Sequence, residues 1–413
     1  MNRITTTSEY LLVFLVILEF NTPYSIIPFV KVIYNAFPLC ILFILILLSI
    51  KKLVIKDFAC ISIYYVGSIF PLLSLSDHAY LAYLRVYILM LPMLWMYLNI
   101  KRKKGMDAYH SLFIKYSNIV VCIAAVSLIM WLLESILHIT SPTTQIPNDW
   151  TMDGSIRLIP TYYGIYFETQ QFSIFGIEAC RNTGIFNEGP MYNMILCTAL
   201  LIECFVRTNI SKKRIILLIL TIISTATTTG QMFLLMLAFV WIYKNMSQKS
   251  KIVLWVTAPF VLYGIYKVAN IILEEKYAYG AGASSMDIRS GSIMGCINIG
   301  LEHPIFGIGL FPKKLVYSSL ILDHSNSLFE LFAVGGLYVL ALYISSLLFI
   351  PYFYYKEKKN VHLLFVMWGF FMLFSFTSSQ YKYLTLLFVA WGLSHINLKF
   401  LATNKCKQSK NGY

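Results

Sequence analysis

The 413-residue sequence has few charged residues: Asp, Glu, Lys and Arg make up 13% of it, against 58% hydrophobic residues. A soluble globular domain of this length cannot bury so large an apolar fraction, and the composition is typical of an integral membrane protein. The excess of 33 Lys and Arg over 19 Asp and Glu acquires a meaning only once these residues are placed relative to the membrane. We therefore expect no nucleic-acid partner.

The sequence also lacks the residue spacings of metal and nucleotide sites. No Cys-x-x-Cys or His-Glu-x-x-His pattern occurs and the seven histidines are scattered, so no metal is predicted. The phosphate-binding patterns GxxxxGK[ST] and GxGxxG are missing as well, which argues against ATP-driven transport and dinucleotide cofactors. Of the eight cysteines, Cys180 and Cys296 fall in predicted outer loops, where a disulfide is one open alternative.

Long apolar runs are what the sequence has in abundance. A hydrocarbon core of about 30 Å needs about 20 apolar residues. Twelve runs of suitable character lie near 9–30, 33–50, 57–75, 78–100, 117–138, 187–206, 214–228, 230–245, 252–272, 325–350, 361–377 and 380–398. The predicted fold is all-α: a polytopic bundle of about 12 transmembrane helices that forms a single domain over 1–413.

The loops between these runs differ in charge and length. Short basic segments fall on one side, among them KKLVIK (51–56), KRKK (101–104), Arg207 with KKR (212–214), and KEKK (356–359). The positive-inside rule places that side, and both termini, in the cytoplasm. Two long segments, 139–186 and 273–324, then become outward-facing loops, and any chemistry is expected to face outward.

Arg85 is the first candidate site residue, because it lies inside a predicted helix near its outer end. An unpaired charge there costs on the order of 3 kcal/mol. Arg85 therefore either reaches the outer headgroups or pairs with the nearby Asp77, or it faces an anionic substrate.

The segment RNTGIFNEGP (181–190) places Arg181 and Glu188 directly before an apolar run. Pro190 suits the first turn of a helix that runs inward. The backbone N–H groups around Met191 and Tyr192 are then expected to be unpaired and to form an anion seat, which Arg181 completes. The alternative is ordinary capping by Asn187 or Glu188, with Arg181 on a lipid phosphate.

The second outer loop repeats this combination of a cation with glycine-rich turns. Arg289 precedes the stretch LEHPIFGIGLF (301–311), and His324 precedes a Ser-Asn-Ser cluster that opens a late helix. An unperturbed pKa near 6.5 suits histidine to proton transfer, although a lone histidine at the rim is more often a surface or capping residue.

Together these pieces follow a familiar order. An outer loop ending in R-x-x-G-[IL]-F-x-E, a Thr-rich turn STATTTG (224–230), an arginine before E-H-P-x-x-G-x-G, and H-S-N-S-x-x-E-x-x-x-x-G-G resemble the O-antigen polymerase and O-antigen ligase superfamily. The resemblance spans about 180–342. Relatives often carry an arginine after the Thr-rich turn, where this chain has Gln231.

The resemblance implies a GT-C-like, metal-independent glycosyltransferase of the bacterial inner membrane. Its substrates are an undecaprenyl-diphosphate-linked oligosaccharide donor and acceptor on the periplasmic face, and a chain-length regulator protein is a further possible partner beside membrane lipids. By this resemblance Arg181 and Arg289 are expected to bind the donor diphosphate; Arg85 is added as a third candidate because of its position in a predicted helix. No cofactor is implied.

The residue inventory agrees with this chemistry. A lipid diphosphate is an activated leaving group, so transfer needs cations that bind it more tightly as it departs, and a base for the acceptor hydroxyl. His324 is the first candidate base and Glu188 the second. A polymerase of oligosaccharide repeats is favoured. The alternatives are a ligase that moves the finished chain to lipid A-core, and a non-enzymatic flippase or transporter.

Overall fold

The computed structural model describes residues 2–19, 22–49, 62, 66, 85–148, 156–174, 177–248, 250, 263, 267, 281–308, 326–358 and 361–377. This part of the chain is mostly helical. Its helices are α1 (Asn2–Leu18), α2 (Pro28–Ser49), α3 (Leu91–Lys103), α4 (Met106–Met130), α5 (Gly189–Leu201), α6 (Lys212–Ser224), α7 (Thr228–Asn245), α8 (Ala281–Glu302), α9 (Ser327–Lys358) and α10 (Val361–Thr377).

Wider π-helical turns extend three of these helices. Arg85–Met90 leads into α3, Trp131–Ile136 continues α4 and Ile202–Val206 continues α5. Each of these turns contains one charged residue, namely Arg85, Glu134 and Glu203. Such turns often occur at functional sites, because the widened turn re-aims its side chains.

Three described helical segments are long and apolar enough to cross a membrane: Pro28–Ser49, Asp107–Ile136 and Gly189–Val206. Two shorter apolar segments, Ser327–Ala341 and Val361–Ser375, accompany them. These lengths and compositions indicate a membrane protein.

Most of the predicted apolar runs coincide with helices. Nine of the twelve overlap α1 to α7, α9 and α10. The runs near 57–75, 252–272 and 380–398 lie almost wholly outside the described residues. The described helices thus support a helical membrane protein.

Helix α5 is at the centre of the main hydrophobic core. Every residue from Gly189 to Leu201 except Pro190 is buried, and α4, α6 and α7 pack around it. A second core joins α1, α2 and α3, with Tyr97 and Leu45 fully buried. A helix that is apolar on all sides, like α5, is expected inside a bundle rather than at its surface.

The first predicted outer loop contains strands, which the all-α prediction missed. The antiparallel sheet β1-β2-β3 comprises Thr144–Asn148, Arg157–Tyr162 and Tyr166–Phe167. The pair β4-β5 comprises Gln171–Ile174 and Ile177–Cys180. These strands have two to six residues and no regular alternation of apolar and polar side chains, so the sequence offered little signal for them.

The second predicted outer loop, 273–324, contains the whole of α8. This helix packs against α9. Gly300 lies at their crossing, where an added Cβ would meet the ring of Phe332 at 2.3 Å. The close approach of the two helices therefore depends on a glycine.

Candidate functional site

The segment that precedes α5 is held against the turn between α6 and α7. The Arg181 N–H donates to the Gln170 carbonyl at 2.9 Å, and the Asn182 N–H to the Ser224 carbonyl at 3.1 Å. The Asn182 side chain adds two bonds: its Nδ2 donates to Ser224 Oγ at 2.9 Å, and its Oδ1 accepts from the Gly184 N–H at 3.1 Å. The position of Arg181 is therefore set by main-chain contacts on both sides.

Buried side chains hold the rest of this segment. Thr183 Oγ1 donates to the Phe167 carbonyl at 2.8 Å, while the Phe167 N–H donates to the Gly184 carbonyl at 3.1 Å. Gly184 has φ +56°, and a Cβ there would lie 3.0 Å from the Tyr192 ring. That ring stacks on Phe186 at 5.2 Å. The polar-looking loop is thus a packed part of the core.

The Thr-rich turn meets Arg181 at the first residue of α5. A Cβ built on Gly189 would lie 3.2 Å from the Thr225 carbonyl oxygen, 3.3 Å from Thr227 Cγ2 and 3.5 Å from Arg181 Cδ. Thr225 Oγ1 and Thr227 Oγ1 are 3.1 Å apart. Two motifs that are separate in the sequence therefore converge on the N-terminus of α5.

The N-terminus of α5 is only partly as predicted. The helix begins at Gly189 with Pro190 in its first turn, as expected, but Glu188 makes no side-chain capping bond. The Gly189 N–H donates to Gln170 Oε1 at 3.1 Å, and the Tyr192 N–H donates to the Glu188 carbonyl at 3.2 Å. The prediction that the Tyr192 N–H is unpaired was therefore wrong, because the chain enters the helix early enough to close its first turn.

Gln170 is a site residue that sequence reasoning missed. Its carbonyl fixes the backbone of Arg181, and its side-chain oxygen accepts from Gly189. Because that N–H is a donor, the amide must present Oε1 to it, and the Nε2 group points elsewhere. Gln170 lies in the unremarkable polar stretch ETQQF, and only the tertiary structure distinguishes it.

Side chains from the π-helical turn that continues α4 hold the strands β1 to β5, here called the strand layer, in place. Trp131 Nε1 donates to the Cys180 carbonyl at 2.9 Å, and Ser135 Oγ donates to Glu168 Oε1 at 2.6 Å. Burial, followed by the charges of Glu168 and Glu134, raises the pKa of Tyr162 to about 12. Glu168 and Glu134 therefore both lie close enough to Tyr162 to disfavour its anion.

Cys180, the neighbour of Arg181, is a free thiol, as is Cys296. The two cysteines do not pair. Burial and then the charge of Glu168 raise the pKa of Cys180 to about 11. The thiol is therefore neutral at physiological pH and contributes no charge beside Arg181.

Arg85 has partners within the protein. It forms an ion pair with Glu19, and its Nη1 donates to the Tyr34 carbonyl at 3.0 Å. Glu19 directly follows α1, so the arginine joins α1, α2 and the turn before α3. Tyr24, between α1 and α2, packs edge-on against Phe167 of the strand layer at 5.4 Å. Asp77, the partner considered from the sequence, lies outside the described residues.

The EHPIFG segment fits into a break in α9. Gly336 has φ 58° and ψ −165°, which interrupts the helix. The Leu337 and Tyr338 N–H groups donate to the carbonyls of Pro304 and Ile305 at 2.8 and 3.1 Å. The Ile308 N–H returns a bond to the Ala333 carbonyl at 3.0 Å. Main-chain groups that the break frees are thus paired by the turn after α8.

The remaining predicted residues lie on the α8–α9 side. Arg289 belongs to helix α8 rather than to a loop, and the structure describes its backbone only. His324 lies outside the described residues. Asn326 follows it and caps α9, its Oδ1 accepting from Leu328 and Phe329 N–H at 3.0 and 3.1 Å. Glu330, the glutamate of the H-S-N-S-x-x-E motif, lies in the first turn of α9 and is buried; the sequence assigned it no role.

The two groups of motifs are on different helices of one core. Arg181, Glu188 and the Thr-rich turn belong to α5, α6 and α7, whereas Arg289 and Asn326 belong to α8 and α9. Helix α10 packs against both α7 and α9 and so links the groups. Among the described residues, no three His, Cys, Asp or Glu side chains are grouped as a metal site requires.

The sequence matches no protein-family model, and it matches no curated protein. A functional assignment therefore depends on the motifs, their order along the chain and the contacts that bring them together.

Proposed function

We propose that this protein is a polymerase that joins polyprenyl-diphosphate-linked oligosaccharide repeat units into O-antigen or a similar surface polysaccharide. It is a metal-independent, GT-C-like glycosyltransferase of about twelve transmembrane helices in the bacterial inner membrane. Both termini are cytoplasmic, and the reaction takes place on the periplasmic face.

The observation that carries this proposal is the convergence at Gly189. Atoms of Arg181, Thr225 and Thr227 all lie within 3.5 Å of the position that a Cβ on Gly189 would occupy, although these residues are separated in the sequence. A guanidinium beside a helix N-terminus suits a diphosphate, because both are positive and the guanidinium offers a planar fork of donors. The hydrogen bonds between the EHPIFG turn and the break at Gly336 show that the later two motifs also lie together.

The position of that break agrees with an outward-facing site. After Gly336, α9 continues from residue 337 to Lys358 at its basic end. At 1.5 Å per residue this length is about 33 Å, which spans a hydrocarbon core. The EHPIFG turn therefore belongs at the opposite boundary from Lys358, on the outer side.

The proposed reaction needs two kinds of group. The bond between the anomeric carbon of the donor and the diphosphate oxygen breaks, and the acceptor hydroxyl oxygen forms the new glycosidic bond while its proton passes to a base. Arg181 and Arg289 stabilise the departing diphosphate, and Arg85, which is already paired with Glu19, is the third candidate cation. His324 is the first candidate base and Glu188 the second.

The surface polysaccharide of a strain that lacks the protein tests this assignment. A polymerase defect leaves single repeats on the acceptor, and wild-type protein but not Arg181→Ala restores a ladder of long chains. Long chains that accumulate on the lipid carrier would instead identify a ligase. Absence of any repeat outside the cell would identify a flippase.

A further inference from the structure

The basic end of the helix bundle contains a buried charge cluster that the outward-facing chemistry does not use. Glu203, in the π-helical turn after α5, is fully buried. Its Oε1 accepts from Arg207 Nε at 3.0 Å, from Arg214 Nη2 at 2.8 Å and from the Ser117 hydroxyl. One carboxylate oxygen thus gathers two arginines from either side of the α5–α6 connection.

Asn118 on α4 holds the same two arginines together. Its Oδ1 accepts from Arg207 Nη2 at 2.6 Å and from Arg214 Nη2 at 2.8 Å. The two guanidinium groups therefore share two oxygen atoms and lie side by side. One carboxylate offsets only one of their two charges, so the cluster has a net positive charge in a poorly solvated place.

A neighbouring cluster adds to this positive charge. Glu9 on α1 is buried and pairs with Lys101 and with Lys115, whose Nζ is 2.6 Å from Glu9 Oε2. The Lys115 Nζ also lies 5.6 Å from the centre of the Tyr10 ring, and the Tyr10 hydroxyl accepts from Asn118 Nδ2 at 2.8 Å. Each carboxylate in this linked network is shared by two cations.

The cluster around the two arginines contains polar atoms without a hydrogen-bond partner among the described residues. Arg214 Nε is a buried donor that makes no hydrogen bond with the described residues, whereas Glu203 Oε2, which is also without one, is an acceptor that a phosphate does not satisfy. The side chains of Arg207 and Arg214 still retain 18% and 25% of their exposure, so a ligand can reach them. Helix α6 adds to the local positive potential, because Lys212, Lys213 and Arg214 form its first turn and Ser211 does not cap it.

An exposed apolar stripe begins directly after Arg214. Ile216, Leu220 and Ile223 lie on one face of α6 and are 56%, 50% and 51% exposed. Their spacing of four and three residues places them in a line along the helix. In a membrane protein such a face contacts acyl chains, so the arginine pair lies at the headgroup end of a lipid-facing strip.

We propose that Arg207 and Arg214 bind the phosphate of a phospholipid headgroup at the basic end of the bundle, with an acyl chain along Ile216, Leu220 and Ile223. Two guanidiniums held together by Glu203 and Asn118 offer N–H donors to one phosphate, and the ligand supplies the missing negative charge. This lipid fixes the α5–α6 connection against α4. The proposal is independent of the reaction assigned to the opposite end.

Thermal unfolding of the full chain, purified in maltoside detergent and stripped of lipid, tests the site. Phosphatidylglycerol titrated into the micelles is expected to raise the wild-type Tm in a saturable way. Arg207→Gln and Arg214→Gln are each expected to weaken the apparent affinity about tenfold or more. Inorganic phosphate at equal concentration is expected to leave Tm unchanged, because it has no acyl chain to lie along α6.

Two further measurements keep the result interpretable. Lys244→Gln removes an exposed charge from the same end of the bundle and is expected to bind like wild type. Native mass spectrometry counts bound lipid without relying on Tm. There Arg214→Lys, which preserves the charge, is expected to bind with intermediate affinity. Equal losses in Arg214→Gln and Lys244→Gln, an equal effect of inorganic phosphate, or no saturable lipid binding would each overturn the proposal.

Discussion

The two ends of the helix bundle hold their charged residues in different ways. At the basic end, Arg207 and Arg214 are fixed by side chains, chiefly Glu203 and Asn118. At the start of α5, main-chain hydrogen bonds fix the backbone of Arg181, through Gln170 and the neighbouring Asn182. The first arrangement makes the charge part of the scaffold, whereas the second positions a side chain on a rigid support.

This difference separates stability from activity. Loss of a partner at the basic end leaves like charges together in a buried place, which destabilises the fold. Loss of the Arg181 side chain leaves every main-chain bond of its segment intact. Substitutions at the two ends are therefore expected to have opposite signatures in unfolding and in turnover.

The largest expected effect is on stability at the basic end. Glu203→Ala leaves Arg207 and Arg214 adjacent without their shared carboxylate, and we expect a loss of about 3–5 kcal/mol in the free energy of unfolding. Glu302→Ala, at the exposed end of α8, is the matched control and is expected to unfold like wild type. A Glu203→Ala protein with an unchanged Tm in detergent would show that the cluster does not stabilise the fold.

Arg181→Ala is expected to give the reverse signature. Chain growth should fall about 100-fold or more, because a donor to the developing negative charge is lost. Tm should stay near wild type, because the main-chain bonds remain. Arg181→Lys should recover activity only in part, since an ammonium cannot reproduce the guanidinium fork. Arg157→Ala, which removes an exposed arginine from β2, is the control. Full activity in Arg181→Lys would show that a positive charge at this position is sufficient and that the guanidinium fork is not needed.

A smaller change tests whether an anion lies at the α5 N-terminus. Gln170→Glu keeps an acceptor for the Gly189 N–H and should preserve Tm, because a carboxylate is favourable at a helix N-terminus. It also places a negative charge beside a bound diphosphate, so turnover should fall about tenfold. Gln171→Glu adds the same charge one residue away, on an exposed position, and should have little effect. Wild-type turnover in Gln170→Glu would show that the diphosphate does not bind beside residue 170.

The smallest effect concerns Cys180 and pH. Because its pKa is raised to about 11, the fold favours the neutral thiol. That contribution to stability is present below the ordinary thiol pKa and is lost as the pH rises toward 11. In a variant with Cys180 as its single cysteine, the alkylation rate should keep increasing from pH 8 to 10.5. A plateau by pH 9 would contradict the burial of this thiol.

The sequence predicted where helices lie better than what their charges contact. Pro190 marked the start of α5, and the glycine pair at 335–336 lies at the observed break in α9. The sequence suggested Asp77, a near neighbour along the chain, as a partner of Arg85, whereas the described partner is Glu19, just after α1. Partners across helices have no local signature, because helix packing alone brings them together.

Two other features were hidden for different reasons. Arg207 and Arg214 were read as markers of the cytoplasmic side, since the sequence does not reveal a buried carboxylate such as Glu203 between them. The short strands around Ile159 and Phe172 depend on pairing with each other and on α4, and neither their length nor their pattern distinguishes them from loop.

The most direct test is chain growth by the purified protein in lipid vesicles supplied with a synthetic lipid-linked repeat. We predict products of several repeats, with one polyprenyl diphosphate released per bond formed. Arg181→Ala and Arg289→Ala should abolish them, and His324→Ala should slow turnover by about 10²–10⁴ with little change in donor binding. A folded wild-type protein that leaves the repeats unjoined, or that only moves them across the bilayer, would contradict the proposed function.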